Sequence, residues 1–269
     1  HCPIEVPNEY DAMLTKRKAI YIPYPYAVPF KYVIDTEHCN KCGACEEVCK
    51  EGAINFNQKP EVISIEVGAI IVATGFELFD AKKKTEYGYG RYRNVINGLE
   101  LERMIKAWGQ VGGGVVRSSD GKIPKKVAFI QCVGSRDSSV GNTYCSSVCC
   151  MYALKSAITL KERLPDVDIS IFYMDVRTYG KGFEEVYQTV GKLTGINLIR
   201  GRVSQIIEDP KTNNLVVRVE NTETGELLEE EFDLVVLSIG LTAPSGTEKL
   251  SKILNIPTCL LYTSPSPRD

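Results

Sequence analysis

Two groups of cysteines have the types and spacings with which a chain can do chemistry. In the first, Cys39, Cys42, Cys45 and Cys49 stand three, three and four residues apart. Three cysteines at such short intervals wrap one loop around one iron–sulfur cubane, and Gly43 lets that loop turn tightly. The fourth starts a helix or turn that points to a second cluster when two clusters are present. Cys2, followed by Pro3, has the form of the end of an upstream copy of the run. Cys2 is therefore expected to complete the cluster held by Cys39, Cys42 and Cys45, leaving Cys49 to a different cluster. The alternative is that Cys49 closes its own cluster and Cys2 is idle.

The second group is Cys132, Cys145, Cys149 and Cys150. Cys132 follows an apolar, strand-like run from Val127 to Gln131. The other three are expected to open a helix over 146–163, on which Cys145 and Cys149 share one face. Backbone N–H groups at a helix start favour negative charge, whether of thiolate or of cluster. Four thiolates suit one iron–sulfur cluster or one zinc. Packing as small hydrophobes explains poorly why three of the four fall within six residues. Zinc bound by four cysteines usually shows two Cys-x-x-Cys knuckles, which this stretch lacks. A redox dithiol or disulfide stays open beside zinc, and a cluster of unusual ligand spacing is the preferred reading.

The elements that must position these groups follow from the rest of the chain. Its 269 residues suffice for two domains, or for one large domain and a module. A hydrophobic content of 43% and a charged content of 25% are those of an ordinary globular protein. The net charge of −2 gives no reason to expect nucleic acid or an anionic membrane surface as partner. No apolar run approaches the roughly 20 residues of a membrane span, and no signal peptide is visible. Cysteines grouped like ligands favour metal chemistry in a reducing cytoplasm over disulfides.

Between the two groups, Lys18 to Lys31 reads as an extended, proline- and tyrosine-rich connection, and Glu51 to Phe56 as a short strand. Glu66 to Gly75 reads as a buried parallel strand, continuous in apolar residues. Leu99 to Trp108 reads as a short amphipathic helix, and Gly112 to Gly114 as a loop. From 123 to 232 the order is strand (126–131), helix (146–163), strand (168–174), helix (184–194) and strand (197–200), then a hairpin of 215–221 and 226–232. That is the order of a small nucleotide-binding domain in an α/β fold. Its first strand would lead into Gly-x-Gly-x-x-Gly if it bound NAD. It leads instead into Gln131-Cys132-Val133-Gly134-Ser135-Arg136, so cysteines stand where a phosphate cradle would be. Phe232 to Leu241 reads as another buried strand, ending near Gly240. The final residues, 259–269, share no pattern with what precedes them. They look like translated sequencing adapter and are expected to be no part of the fold.

Several stretches carry a resemblance. The first cysteine group matches the bacterial ferredoxin run except at Lys50, where proline is usual. Ala73-Thr74-Gly75 resembles the strand end that closes the first flavin segment of two-dinucleotide-binding-domain flavoproteins. With HCNKCGACEEVC, EYGYGRYRNVIN, FIQCVGSRD, YCSSVCCMYALK and FYMDVRTYGKGFEEVY, the chain resembles the A-type (flavin and iron–sulfur) subunit of heterodisulfide reductase over nearly all of residues 2–241. The resemblance implies a thioredoxin-reductase-like α/β flavoprotein fragment with an inserted 4Fe–4S ferredoxin-type domain. It divides the chain into an N-terminally truncated ferredoxin insert (1–62), a flavin-domain segment (63–122), a nucleotide-binding-like domain carrying a 4Fe–4S cluster (123–232) and a return into the flavin domain (233–258). It implies FAD, with Ala73, Thr74, Gly75 and Gly240 near it. Lys155 matches a lysine beside the flavin ring, though it also reads as a solvated helix lysine. The family's own Gly-x-Gly-x-x-Gly for FAD is expected upstream of residue 1. Electron pairs would be split between a high- and a low-potential acceptor. The partners implied are other subunits of the complex, a hydrogenase or dehydrogenase donor subunit, and ferredoxin.

Overall fold

In the computed structural model, which describes residues 1–106, 114–193, 195–259 and 262–263, the chain divides after Val72 into two units. The first is small and built from short pieces. β1 (Glu5–Pro7) pairs antiparallel with β2 (Lys16–Lys18), and β3 (Ile20–Tyr21) with β4 (Val33–Ile34). One short helix, α1 (Ala44–Val48), follows Gly43, whose φ of +79° gives the tight entry that the loop requires. Arg17 staples this unit. Its guanidinium lies between Glu9 at 2.6 Å and Asp35 at 3.0 Å and stacks 3.8 Å over the Tyr21 ring.

Two expected strands do not form. Residues 51–56 have no ladder partner, because the Ala53 N–H is turned back onto the Cys49 sulfur at 3.3 Å. Residues 66–75 are likewise irregular and exposed, with Ile70 64% and Ile71 91% accessible. An all-apolar strand is stable only between two neighbours that cover both faces, and none pairs with it among the described residues.

The second unit contains β5 (Glu77–Leu78), β6 (Val95–Asn97), α2 (Gly98–Ile105), β7 (Lys126–Val133), α3 (Cys149–Arg163), β8 (Asp168–Tyr173), α4 (Phe183–Val190), β9 (Ile196–Arg200), β10 (Val203–Glu208), β11 (Leu215–Asn221), β12 (Glu226–Phe232), β13 (Leu234–Ile239), β14 (Leu241–Thr242) and α5 (Thr247–Leu254). Five of the strands form a wholly parallel sheet in the order β6-β13-β7-β8-β9. β10, β11 and β12 form a separate antiparallel sheet. The fold is thus α/β, with helices carrying the crossovers between β7, β8 and β9.

β13 departs from expectation. Far from leaving this domain at 233, the chain returns to the sheet's interior between β6 and β7. All six residues of β13 are buried, which demands a neighbour on each side as well as cover on both faces. The segments expected as 63–122, 123–232 and 233–258 therefore contribute to one sheet. The chain runs from β7 outward to β8 and β9 on one side, whereas β13 lies on the other. The carboxyl end of β7 is therefore the point where strand order reverses.

The helices differ from expectation mainly at their ends. α2 starts on a capping box of Asn97 and Glu100, and its expected last residues lie outside the described residues. The final residue of the expected 184–194 helix also lies outside the described residues, but α4 already ends at Val190 and residues 191–193 form a turn. Gly112 and Gly113 of the expected glycine loop also lie outside the described residues, as does most of the 259–269 tail. No described helix is long and apolar enough to cross a membrane.

Candidate metal centres

In the first unit, Cys2, Cys39, Cys42 and Cys45 line one cavity together with Ala19, Ile20, Ile34 and Phe56. Cys2 is delivered by the chain just before β1, the other three by the loop around Gly43. Asp35 anchors that loop: its carbonyl accepts from the Cys39 N–H at 2.9 Å. Hydrogen bonds from His38, with Arg17 beside it, hold the Asp35 carboxyl down to about 2. The Lys41 N–H donates to the Cys39 sulfur at 3.4 Å. Thiols facing an apolar cavity, with backbone N–H groups on their sulfurs, suit a cluster. Cys49 is absent from the lining, and its sulfur instead accepts from the Ala53 N–H. Among the described residues no three metal-binding side chains are placed to hold one ion. What these four share is a cavity.

In the second unit the cysteines meet at the carboxyl edge of the parallel sheet. β7 ends in a register shift opposite β13, between Leu237 and Ile239. There Cys132 adopts φ of +59°, a left-handed conformation rare outside glycine. A bulge of this kind re-aims a side chain out of the strand's alternation. The expected 146–163 helix starts late, at Cys149, so Cys145 sits in the preceding loop and shares no helix face with it. The cause is local. Ser147 has φ of +61°, and its N–H donates to the Cys145 sulfur at 3.4 Å.

Cys149 and Cys150 occupy the first turn of α3 and point to different strand ends. The Cys149 thiol donates to the Ile239 carbonyl at 3.6 Å, at the end of β13. The Cys150 thiol donates to the Asp175 carbonyl at 3.9 Å, just past β8. Burial pushes the Cys132 thiol up to about 11 and Cys149 to about 12, and the neighbouring thiols push in the same direction. Burial also raises Cys150. Reactive dithiols are exposed and low in pKa, whereas Cys149 and Cys150 are only 6% and 8% accessible. Burial leaves these thiols poorly placed for exchange with a substrate disulfide.

A buried polar frame holds this site, and sequence reasoning missed it. The Ser146 hydroxyl donates to the Ser135 hydroxyl at 3.1 Å and accepts from the Leu241 N–H at 2.9 Å. The Ser135 hydroxyl donates to the Tyr144 carbonyl at 3.0 Å. Asp137, also buried, accepts from Lys84 at 2.9 Å and from Arg202 at 2.7 Å. The only sequence signal was small polar residues beside the cysteines, which read as loop.

The residues expected near a flavin are not gathered into one place. Ala73, Thr74 and Gly75 are exposed and irregular. The Lys155 ammonium lies 3.1 Å from Glu102 on α2, with 61% of its side chain accessible. A Cβ on Gly240 would lie 2.8 Å from the Ser146 hydroxyl and 2.9 Å from Ser135. That glycine serves close packing beneath the cysteine loop. No hydrogen bond or ion pair joins these positions among the described residues.

Residues 32–55 match the 4Fe-4S binding domain family. The chain is 55% identical over 255 residues to the A-type iron-sulfur subunit of CoB--CoM heterodisulfide reductase from Methanocaldococcus jannaschii, covering 95% of this chain and 39% of that protein. It is 51% identical over 255 residues to the A-type subunit of H(2):CoB-CoM heterodisulfide,ferredoxin reductase from Methanothermobacter thermautotrophicus, covering 95% of this chain and 38% of that one. The chain thus spans about two fifths of the length of these relatives. A thioredoxin reductase from T. acidophilum overlaps 65% of this chain and 44% of its own, at 15% identity and a TM-score of 0.38.

Proposed function

We infer that this chain is a segment of the A-type subunit family of heterodisulfide reductase and that it transfers electrons through a 4Fe–4S cluster at each of its cysteine groups. One observation supports this above the rest. Four thiols from the end of β7, the following loop and the start of α3 lie within electrostatic reach of one another at the reversal point of the parallel sheet. A dinucleotide-binding domain holds its cofactor at that point. Cluster ligands in place of a glycine cradle make the domain an electron carrier. In the first unit, Cys2, Cys39, Cys42 and Cys45 would hold the other cluster, and Cys49 a different one.

The protein is a flavoprotein in this reading, and FAD supplies the exchange between electron pairs and single electrons. Splitting of pairs between a high- and a low-potential acceptor is the finer form of the proposal. Partners are the other subunits of a heterodisulfide reductase-type complex, a hydrogenase or dehydrogenase donor subunit, and ferredoxin. The chain's own residues bind the clusters and orient N–H groups toward their sulfurs.

Anaerobic metal analysis with EPR of the whole chain tests this. Two filled sites give about eight irons per chain. Cys149→Ala should remove about half of them, with the signal of one centre, and Cys39→Ala the other half. Zinc in either site, or metal-free thiols that react readily, would overturn the reading.

A further inference from the structure

Beside the second cysteine group lies a set of charges with no part in the sheet's core. Asp175, two residues past β8, accepts from the Arg136 guanidinium through one carboxylate oxygen. Its other oxygen lies 3.4 Å from Nε of Arg177. The Asp175 carbonyl simultaneously takes the Cys150 thiol. Arg136 is fixed on the loop between Cys132 and Cys145, with φ of +55° and its N–H on the Tyr144 carbonyl at 2.8 Å. Arg136 lies within electrostatic reach of Cys132 and Cys150. Arg177, two residues beyond the carbonyl that takes the Cys150 thiol, lies within electrostatic reach of Cys145. Two cations thus share one carboxylate beside four sulfurs.

We propose that Arg136 and Arg177, braced on Asp175, are positioning residues whose one uncompensated positive charge sets the reduction potential of the cluster held by Cys132, Cys145, Cys149 and Cys150. The proposal rests on a cluster being present there. Four thiolates around an iron–sulfur core leave the site net negative, and each electron received adds negative charge. A fixed cation nearby favours the reduced form and so raises the potential. Arginine suits the task because it stays protonated at every relevant pH and its planar fork holds one orientation against a carboxylate.

The test is an EPR-monitored redox titration of the whole anaerobically reconstituted chain. R136Q and R177Q should each move this centre's potential to more negative values at unchanged iron content. R136K and R177K should restore most of the shift, and D175N should move the potential in the positive direction. The opposite sign of D175N separates charge from loosened packing, which would shift all variants alike. Gln variants that keep their iron and the parent potential overturn the proposal. So does loss of iron in the Gln and Lys variants alike, which makes the arginines merely structural. A parent chain with no iron at this site instead defeats the cluster reading itself.

Discussion

Cys2 and Cys49 make the sharpest contrast between single residues. Cys2 shares a cavity with Cys39, Cys42 and Cys45, and Cys49 does not. Cys2→Ser should therefore cost the first centre its iron, whereas Cys49→Ser should leave that centre's iron count and EPR signal in place. Iron analysis of the two variants decides the matter. Asp137 makes a second prediction at this scale. Burial alone would raise its pKa, but Lys84, the Ser139 hydroxyl and Arg202 outweigh it and hold the carboxyl far below the usual range. An unfolded chain binds that proton near pH 4, so the unfolded state takes up more protons as pH falls. The stabilisation is complete above that pH and is lost progressively below it. Asp137→Asn leaves Lys84 paired with Glu86 alone, at 2.6 Å, and takes the carboxylate from Arg202. It should cost about 1 to 2 kcal/mol at neutral pH and flatten the acid limb of stability against pH, measured by denaturant unfolding of the apo chain.

At the scale of elements, the loop from β7 to α3 depends on one glycine more than on another. Gly134 has φ of +70°, and a Cβ there would enter the ring of Phe79, itself buried. Gly134→Ala should destabilise the unit by about 3 kcal/mol, from left-handed strain and overpacking together, and should reduce iron at the second centre. Gly141 has φ of +79° with open space around it, so Gly141→Ala should cost only about 1 kcal/mol. Thermal unfolding with iron analysis separates the two.

Elements with regular patterning were legible in the sequence. β11 and β12 fall on the residues expected, because two short runs flank an unmistakable Glu223-Thr224-Gly225 turn. The first cysteine run was legible too, since its spacing is local and its stretch matches the 4Fe-4S binding domain family. The late start of α3 was not. Ser146 and Ser147 look like helix-capping residues, but Ser146 bonds across the fold to Ser135 and Leu241. Nor was the position of β13, because an all-apolar strand does not say which strands it lies between. The run at 66–75 failed for the same reason: its composition asks for neighbours that sequence order does not name.

At the scale of the whole chain, the segment from Val62 to Ile71 leaves many apolar side chains exposed. Val62, Ile63, Ile65 and Ile71 are all more than 70% accessible. Contiguous exposure of this kind promotes association. Ile71→Lys should raise the chain's solubility, followed by light scattering against concentration, and leave iron content unaltered. The same substitution would lower solubility only if the segment were already covered.

The divergent aim of Cys149 and Cys150 has a mechanical consequence. Neighbours in sequence, they face the ends of two strands, β13 and β8, that flank β7 on opposite sides. A group bound to both, and to Cys132 on β7, ties the first turn of α3 to the end of β7 and closes the chain loop between them the way a covalent cross-link does. Stripping iron from the second centre should then loosen that loop while the rest of the sheet stays shut. Hydrogen exchange should quicken first at Tyr152 in the first turn of α3 and at Val133, long before it does at Lys126 or Leu234.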